Sequence, residues 1–148
     1  MGKFDLFWTT MDCCDWSEKG DDDLVLRTVI AYLSYQKDET IFAFDEQMSE
    51  LLYALDTKKL AEQCASVYDD MSDDSFLYSR CVALINGPAY YEKAQSGECP
   101  EMWQMEFESL LYVPQRAWAK KHGTDENDYP YTPQFCYETG SNKQGWNP

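Results

Sequence analysis

The chain has 148 residues, 44% of them hydrophobic and 16% aromatic, which suffices for one domain with a core and excludes a disordered polypeptide. Its formal net charge of −15 at pH 7 argues against nucleic acid or anionic lipid as a partner, because phosphates would be repelled, and favours a basic protein. No apolar run approaches the roughly 18 residues of a membrane helix and the N-terminus has no secretory pattern, so we expect a cytoplasmic protein without membrane contact.

The N-terminal residues predict an amphipathic helix from about residue 3 to residue 14. Its apolar face carries Phe4, Phe7, Trp8 and Met11. We expect Phe7 and Trp8 to pack this helix onto the central helix described below, which makes Trp8 a structural residue. A ligand-binding role for Trp8 is the alternative.

Two further helices follow, and acidic side chains mark both. The run Asp21-Asp22-Asp23 predicts the start of the second helix, because carboxylates suit the positive end of a helix dipole, and this helix extends to about residue 35. The third helix runs from about residue 38 to residue 55. We expect Asp45, Glu46 and Glu50 on its exposed side.

Four carboxylates fall within six positions after the fourth helix, which opens at Asp56-Thr57. Asp73 and Asp74 suit the first turn of the next helix. Asp69 and Asp70 follow the end of the fourth helix, where the dipole disfavours each negative charge by about 0.3–1 kcal/mol. The helix dipole thus explains Asp73 and Asp74, whereas Asp69 and Asp70 need another explanation, such as contact with a partner.

Residues 72–86 predict a buried central helix, because their apolar positions cover too wide a face for a surface helix. Ser72 is a suitable N-cap, since its hydroxyl can accept a bond from the first turn. We expect Arg80 to be buried or half-buried and bonded to an acid or to helix-end carbonyls; a substrate-anion site is the alternative. Gly87 and Pro88 end the helix.

The remaining chain predicts two more helices and an irregular tail. One helix covers about residues 88–95, and another runs from about residue 101 to Gly123 with a kink or interruption at Pro114. Prolines and polar residues make the rest irregular, but its aromatic side chains indicate packing on the body. The predicted fold is all-α, with about six helices in one compact domain over residues 1–123 and a C-terminal segment over residues 124–148.

Several of these positions resemble a bacterial helical family that is catalogued as a domain of unknown function. The shared features are Phe7-Trp8, the Ser-Asp-Asp-x-Phe-x-Tyr-x-Arg block from Ser72 to Arg80, Gly87, Tyr91-Glu92, and a last helix with Glu108, Tyr112, Ala117 and Lys121. The sequence departs from the pattern at Ser75, Ser79 and Val82. The resemblance covers about residues 4–123 and implies a compact helical domain, with no activity to carry over.

No pattern for a catalytic site, a metal or a cofactor is present in the sequence. His122 is the only histidine and has no ligand-spaced partner, and the six cysteines form no Cys-x-x-Cys pair, so we expect reduced thiols and no zinc site. The spacing of Asp69, Asp70, Asp73 and Asp74 does not fit a calcium loop. Gly-rich phosphate loops and His-Glu-x-x-His are also absent.

These observations favour a non-catalytic acidic protein that binds a basic partner, specifically an immunity protein or antitoxin for a toxin such as a nuclease. The candidate contacts are Asp21, Asp22, Asp23, Glu46, Glu50, Asp69 and Asp70. One alternative is an enzyme or small-ligand regulator with a pocket between helices near Arg80. Another is a housekeeping interaction domain whose negative charge serves solubility.

Overall fold

The computed structural model describes residues 2–148, and all regular structure in that range is helical. The eight α-helices are α1 (Asp5–Met11), α2 (Asp22–Ser34), α3 (Asp38–Ala54), α4 (Lys58–Val67), α5 (Asp73–Ile85), α6 (Pro88–Gln95), α7 (Val113–His122) and α8 (Lys143–Trp146). Short 3-10 helices cover Trp16–Glu18, Pro100–Gln104, Glu108–Tyr112 and Glu126–Asp128. The all-α prediction is confirmed, but the count of about six helices was too low. None of the helices in the described range combines the length and the apolar character needed to cross a membrane.

Side chains at the helix starts explain why most predicted boundaries are correct. The Asp21 carboxylate accepts a bond from the Leu24 N–H at 3.1 Å and so begins α2. Thr57 caps α4 in the same way. Ser72 accepts from the Ser75 N–H at 3.1 Å, and the Ser75 hydroxyl accepts from the Ser72 N–H at 2.8 Å, so a reciprocal capping box fixes the start of α5.

The predicted helix from residue 101 to Gly123 is wrong in its first half. Residues 100–112 form two short 3-10 helices, and α7 begins only at Val113. Pro114 lies in the first turn of α7, where backbone N–H groups have no intrahelical acceptor, so the lack of an N–H in proline costs no hydrogen bond. Proline therefore starts this helix and does not kink it. Gly123 ends α7 with φ of 64°, as expected.

The chain divides into two compact units, the first built from residues up to Gln47 and Ser109–Gln134 and the second from Met48–Glu108 and Phe135–Pro148. In the first unit, α2 packs against α7. The Phe7 ring stacks on Phe44 with centroids 5.1 Å apart, and Trp8 is half-buried against Phe7. Packing of Phe7 and Trp8 on the central helix stays a prediction.

Helix α5 lies at the core of the second unit, as the sequence predicts. Its Phe76 and Cys81 are fully buried, and Trp103 stacks on Phe76 with centroids 5.3 Å apart. The Trp103 indole N–H donates to the Gln63 side chain at 2.7 Å, so the largest buried side chain also fixes α4. Gly87 after α5 has φ of 91° and ψ of 167°, a conformation that favours glycine.

The C-terminal segment is irregular over most of its length and contributes to both units. In the first unit, the Tyr131 ring stacks on Phe42 with centroids 4.9 Å apart. In the second, Phe135 packs edge-on against Tyr53. The expected packing of this segment on helices is therefore present, whereas the predicted division at residues 123 and 124 stays a prediction.

Candidate functional site

An acidic surface on the second unit is the main candidate for a binding site. We define it by Asp69, Asp70, Asp73 and Asp74, which are neighbours in sequence, and by Glu108 and Glu138, which lie with Asp74 near Tyr78. Asp69 and Asp70 lie in the turn between α4 and α5, and Asp73 and Asp74 form the first turn of α5. All four side chains are exposed, and none has an ion-pair partner among residues 2–148.

Tyr78 shows that carboxylates from three separate segments converge on this surface. Burial raises the pKa of the Tyr78 phenol, and the nearby charges of Glu108, Asp74 and Glu138 raise this pKa further. The Phe107 N–H donates to the Tyr78 carbonyl at 3.0 Å, which places Glu108 beside α5. The acidic surface thus depends on tertiary contacts and extends beyond the run in the sequence.

The tail contributes Glu138 because its neighbour binds the start of α5. The Thr139 hydroxyl donates to the Asp73 carbonyl at 2.7 Å. At the turn before α5, Tyr68 keeps 37% of its surface exposed. An exposed aromatic ring in the same turn as Asp69 and Asp70 is the kind of anchor that protein interfaces use.

Two of the three acids that begin α2, in the first unit, already serve the fold. Asp21 is the N-cap of α2. Asp23 forms an ion pair with Arg116 at 3.2 Å, and its pKa is lowered by hydrogen bonds from Ser109 and from Arg116. For Asp22, burial raises the pKa, and the charges of its two acidic neighbours add to that effect. Their placement leaves less of their charge available to a partner.

The expected exposure of Asp45, Glu46 and Glu50 is wrong. Asp45 is only 6% exposed and accepts a hydrogen bond from the Tyr129 hydroxyl at 2.9 Å. Glu46 is half-buried and accepts from the Tyr131 hydroxyl at 2.5 Å. Glu50 is also half-buried. In the first unit the C-terminal segment covers Asp45 and Glu46, which helical periodicity alone could not predict.

Arg80 is fully buried in the second unit and binds neutral acceptors. Its guanidinium donates to the carbonyl of Leu52, in the last turn of α3, at 3.0 Å. It also donates to the Tyr137 carbonyl at 2.9 Å and to the Thr139 hydroxyl at 3.2 Å. This matches the expectation of bonds to helix-end carbonyls. The guanidinium holds the tail and lies over the Phe76 ring at 4.7 Å.

Asp56 is a buried residue whose role the sequence did not indicate. Its carboxylate accepts from the N–H groups of Gly140 and Asn142, both at 3.0 Å, and from the Trp146 indole at 2.7 Å. Burial lowers the pKa of Arg80, and the charge of Asp56 opposes that shift. Asp56 and Arg80 together anchor the tail to the second unit. The nearest sequence signal was the position of Asp56 before α4, where Thr57 proves to be the cap.

Burial or pairing accounts for several of the titratable side chains. Among residues 2–148, no three side chains of His, Cys, Asp or Glu converge as ligands for a metal ion. The His122 ring lies 2.9 Å from the Asp38 carboxylate, and this carboxylate is also paired with Lys121 at 2.7 Å. Cys64 and Cys81 are buried, and burial raises their thiol pKa to about 11 and about 12. Buried neutral thiols are poor nucleophiles.

The fold and this surface define an all-helical protein with an exposed acidic surface on its second unit. The chain belongs to a family described as protein of unknown function, DUF4240, which matches residues 3–120. This confirms the resemblance to a helical family of unknown function. No curated protein and no solved structure matches the chain.

Proposed function

We propose that the protein is a cytoplasmic, non-catalytic binding protein that neutralises a basic partner, specifically a bacterial toxin such as a nuclease. The observation that carries this proposal is the acidic surface of the second unit, where four exposed carboxylates have no ion-pair partner within the described range 2–148. A nuclease needs a cationic groove to hold phosphates. An acidic protein that occupies or covers such a groove blocks the substrate.

The distribution of ion pairs supports a ranking of the proposed contact residues. The first unit contains 14 acidic and 7 basic side chains, and the second contains 13 and 5. The surplus of negative charge is therefore similar in the two units. However, Asp23 and Asp38 of the first unit are paired with cations, whereas Asp69 and Asp70 have no ion-pair partner among residues 2–148 and lie together in one exposed turn. We therefore rank Asp69 and Asp70 above the other predicted contacts.

Long-range attraction would act mainly on the rate of association. Steered pairs associate at about 10⁸–10⁹ M⁻¹s⁻¹ at low salt, against about 10⁵–10⁶ M⁻¹s⁻¹ without steering. At 0.15 M salt the Debye length is about 8 Å, so the carboxylates act over a short distance in the cell. The Tyr68 ring is the anchor that would slow dissociation once contact forms.

The test uses toxin domains encoded beside this gene, each immobilised for association measurements at 50 and 500 mM salt. Replacement of Asp69 and Asp70 by asparagine should lower the association rate several-fold at 50 mM salt and much less at 500 mM. The matched control replaces Glu62 and Glu92 by glutamine, because both are exposed in the same unit and the change in net charge is equal. The proposal would be contradicted if binding did not depend on salt, or if both double variants lost the same fraction of the association rate.

A second measurement separates inhibition from mere attraction. Nuclease activity of the bound toxin should fall in proportion to complex formation, and Tyr68→Ala should raise the dissociation rate with little change in association. If no neighbouring toxin domain binds, the alternative is favoured, in which the protein is a housekeeping interaction domain and its negative charge serves solubility.

A further inference from the structure

A groove between α2 and α7 in the first unit differs in charge from the rest of the molecule. It has a volume of about 430 Å³, within the range of small-ligand sites. Its walls include Leu24, Arg27 and Ile30 from α2 and Arg116 and Lys120 from α7. Three of the seven basic side chains in the first unit therefore line one groove, in a unit that carries twice as many acids.

One of these three cations is fixed in place, and the other two are free. Arg116 pairs with Asp23 at 3.2 Å and with Glu126 at 3.6 Å. Arg27 and Lys120 are exposed and have no hydrogen-bond or ion-pair partner among residues 2–148. The three cations of the groove outnumber its two acids, Asp23 and Glu126, so its lining has a formal charge of +1.

The groove also has an apolar floor. Leu24, Ile30 and Ala31 line it and are half-buried, so each keeps apolar surface in contact with water. Removal of such surface from water stabilises a complex by about 25 cal/mol per Å². The floor and the free cations together suit a ligand with one anionic end and an apolar body.

We propose that this groove binds a small organic monocarboxylate with an apolar body. A carboxylate matches the planar guanidinium of Arg27 through two parallel hydrogen bonds, and Lys120 adds a second positive charge. Polyphosphates and nucleic acids do not fit, because Asp23 and Glu126 lie in the groove and the surrounding unit is acidic. The site lies in the first unit and does not use the acidic surface, so it is independent of the proposed partner.

Octanoate is the probe, titrated into the full-length protein below the concentration at which it forms micelles. Methyl resonances of Ile30 and Ala31 should shift and saturate, with a Kd on the order of 0.1–1 mM for a ligand of this size. Octanol tests the carboxylate, octylammonium tests the sign of the charge, and octyl phosphate tests a dianionic head group. Octanoate is expected to bind more tightly than all three.

Substitutions in the groove give the second arm of the experiment. Arg27→Gln and Lys120→Gln should each weaken octanoate binding about 5–10-fold, because each removes a charge-assisted contact. The matched controls are Lys93→Gln and Lys143→Gln, which remove exposed cations from the second unit. Circular dichroism and the melting temperature show whether each variant is folded; exposed, unpartnered side chains should leave both unchanged.

The outcomes divide cleanly. Saturable binding at Ile30 and Ala31 that weakens in both groove variants and in neither control supports the site. The site is contradicted if the shifts do not saturate or if octanol binds as tightly as octanoate. It is also contradicted if the control variants weaken octanoate binding as much as the groove variants do. Tighter binding of octyl phosphate overturns the assignment to a carboxylate. None of these results depends on whether a toxin binds the acidic surface.

Discussion

Replacement of Asp56 by asparagine tests whether one buried carboxylate holds the tail on the second unit. The side chain is fully buried and accepts from the Gly140 N–H, the Asn142 N–H and the Trp146 indole. Asparagine has nearly the same shape but only one acceptor oxygen. Its amide group would face an N–H donor, and the negative charge would be lost.

The expected loss of stability follows from these contacts. A hydrogen bond to a charged group contributes about 1.5–3 kcal/mol, and loss of one partner from a buried charged network costs about 3–5 kcal/mol. Because asparagine retains one acceptor, we expect Asp56→Asn to lower the free energy of unfolding by about 3 kcal/mol. That is a large share of the about 5–15 kcal/mol typical of a folded domain. The buried Arg80 would also lose its nearby compensating charge.

Urea denaturation followed by circular dichroism measures the global effect, and hydrogen exchange of the Gly140 and Asn142 amides measures the local one. Both amides should lose protection in Asp56→Asn even before the helices unfold, because tail release is a local opening. Asp69→Asn is the matched control, since that side chain is exposed and should change stability by less than about 0.5 kcal/mol. If Asp56→Asn matches the control in stability and keeps both amides protected, the anchoring role is refuted.

Three further predictions concern single residues. Arg80→Met should destabilise the protein by about 3–5 kcal/mol in urea denaturation, because it leaves the Leu52 carbonyl without its donor and Asp56 without a nearby cation; stability within 1 kcal/mol of wild type would argue against it. Gly87→Ala should cost about 1–3 kcal/mol through backbone strain alone, since no described atom beyond the two neighbouring residues lies within 4 Å of the added Cβ; an unchanged melting temperature would contradict this. The pKa of Tyr131 is raised to about 12 by its hydrogen bond to the Glu46 carboxylate, so stability should fall as pH rises from about 10 to about 12, and Tyr131→Phe should reduce that fall; equal slopes for both proteins would oppose the assignment.

Local interactions explain the parts of the fold that the sequence predicts well. Ser72 and Gly87 act within one turn of their own positions, so residue type and spacing suffice to place the two ends of α5. The wide apolar face of α5 likewise indicated a central position, and burial of Phe76 and Cys81 confirms it. Such signals need no knowledge of distant contacts.

The errors occur where distant segments decide the outcome. Asp45 lies on the polar side of α3 by periodicity, yet Tyr129 covers it from 84 positions away in the chain. The carboxylate of Asp56 meets Trp146 over 90 positions. Residues 100–112 have apolar side chains at helix-like spacing, but Phe107 bonds to the Tyr78 carbonyl instead of continuing a helix. In each case tertiary structure overrides a local pattern.

The position of Asp69 and Asp70 side by side in one exposed turn is the strongest reason to expect a partner for them. Asp23 and Asp38 are paired with cations, and the buried Asp56 has three donors. Glu62 and Glu92 are exposed and have no ion-pair partner among residues 2–148, but neither has an acidic neighbour in sequence. Asp69 and Asp70 also have no ion-pair partner in that range, although like charges in one turn repel each other. A need for solubility accounts for a negative net charge but would be met equally by acids placed far apart. Repulsion retained in one exposed turn beside an exposed tyrosine is better explained by a cationic surface that relieves it on binding, and the salt dependence of association measures that relief directly.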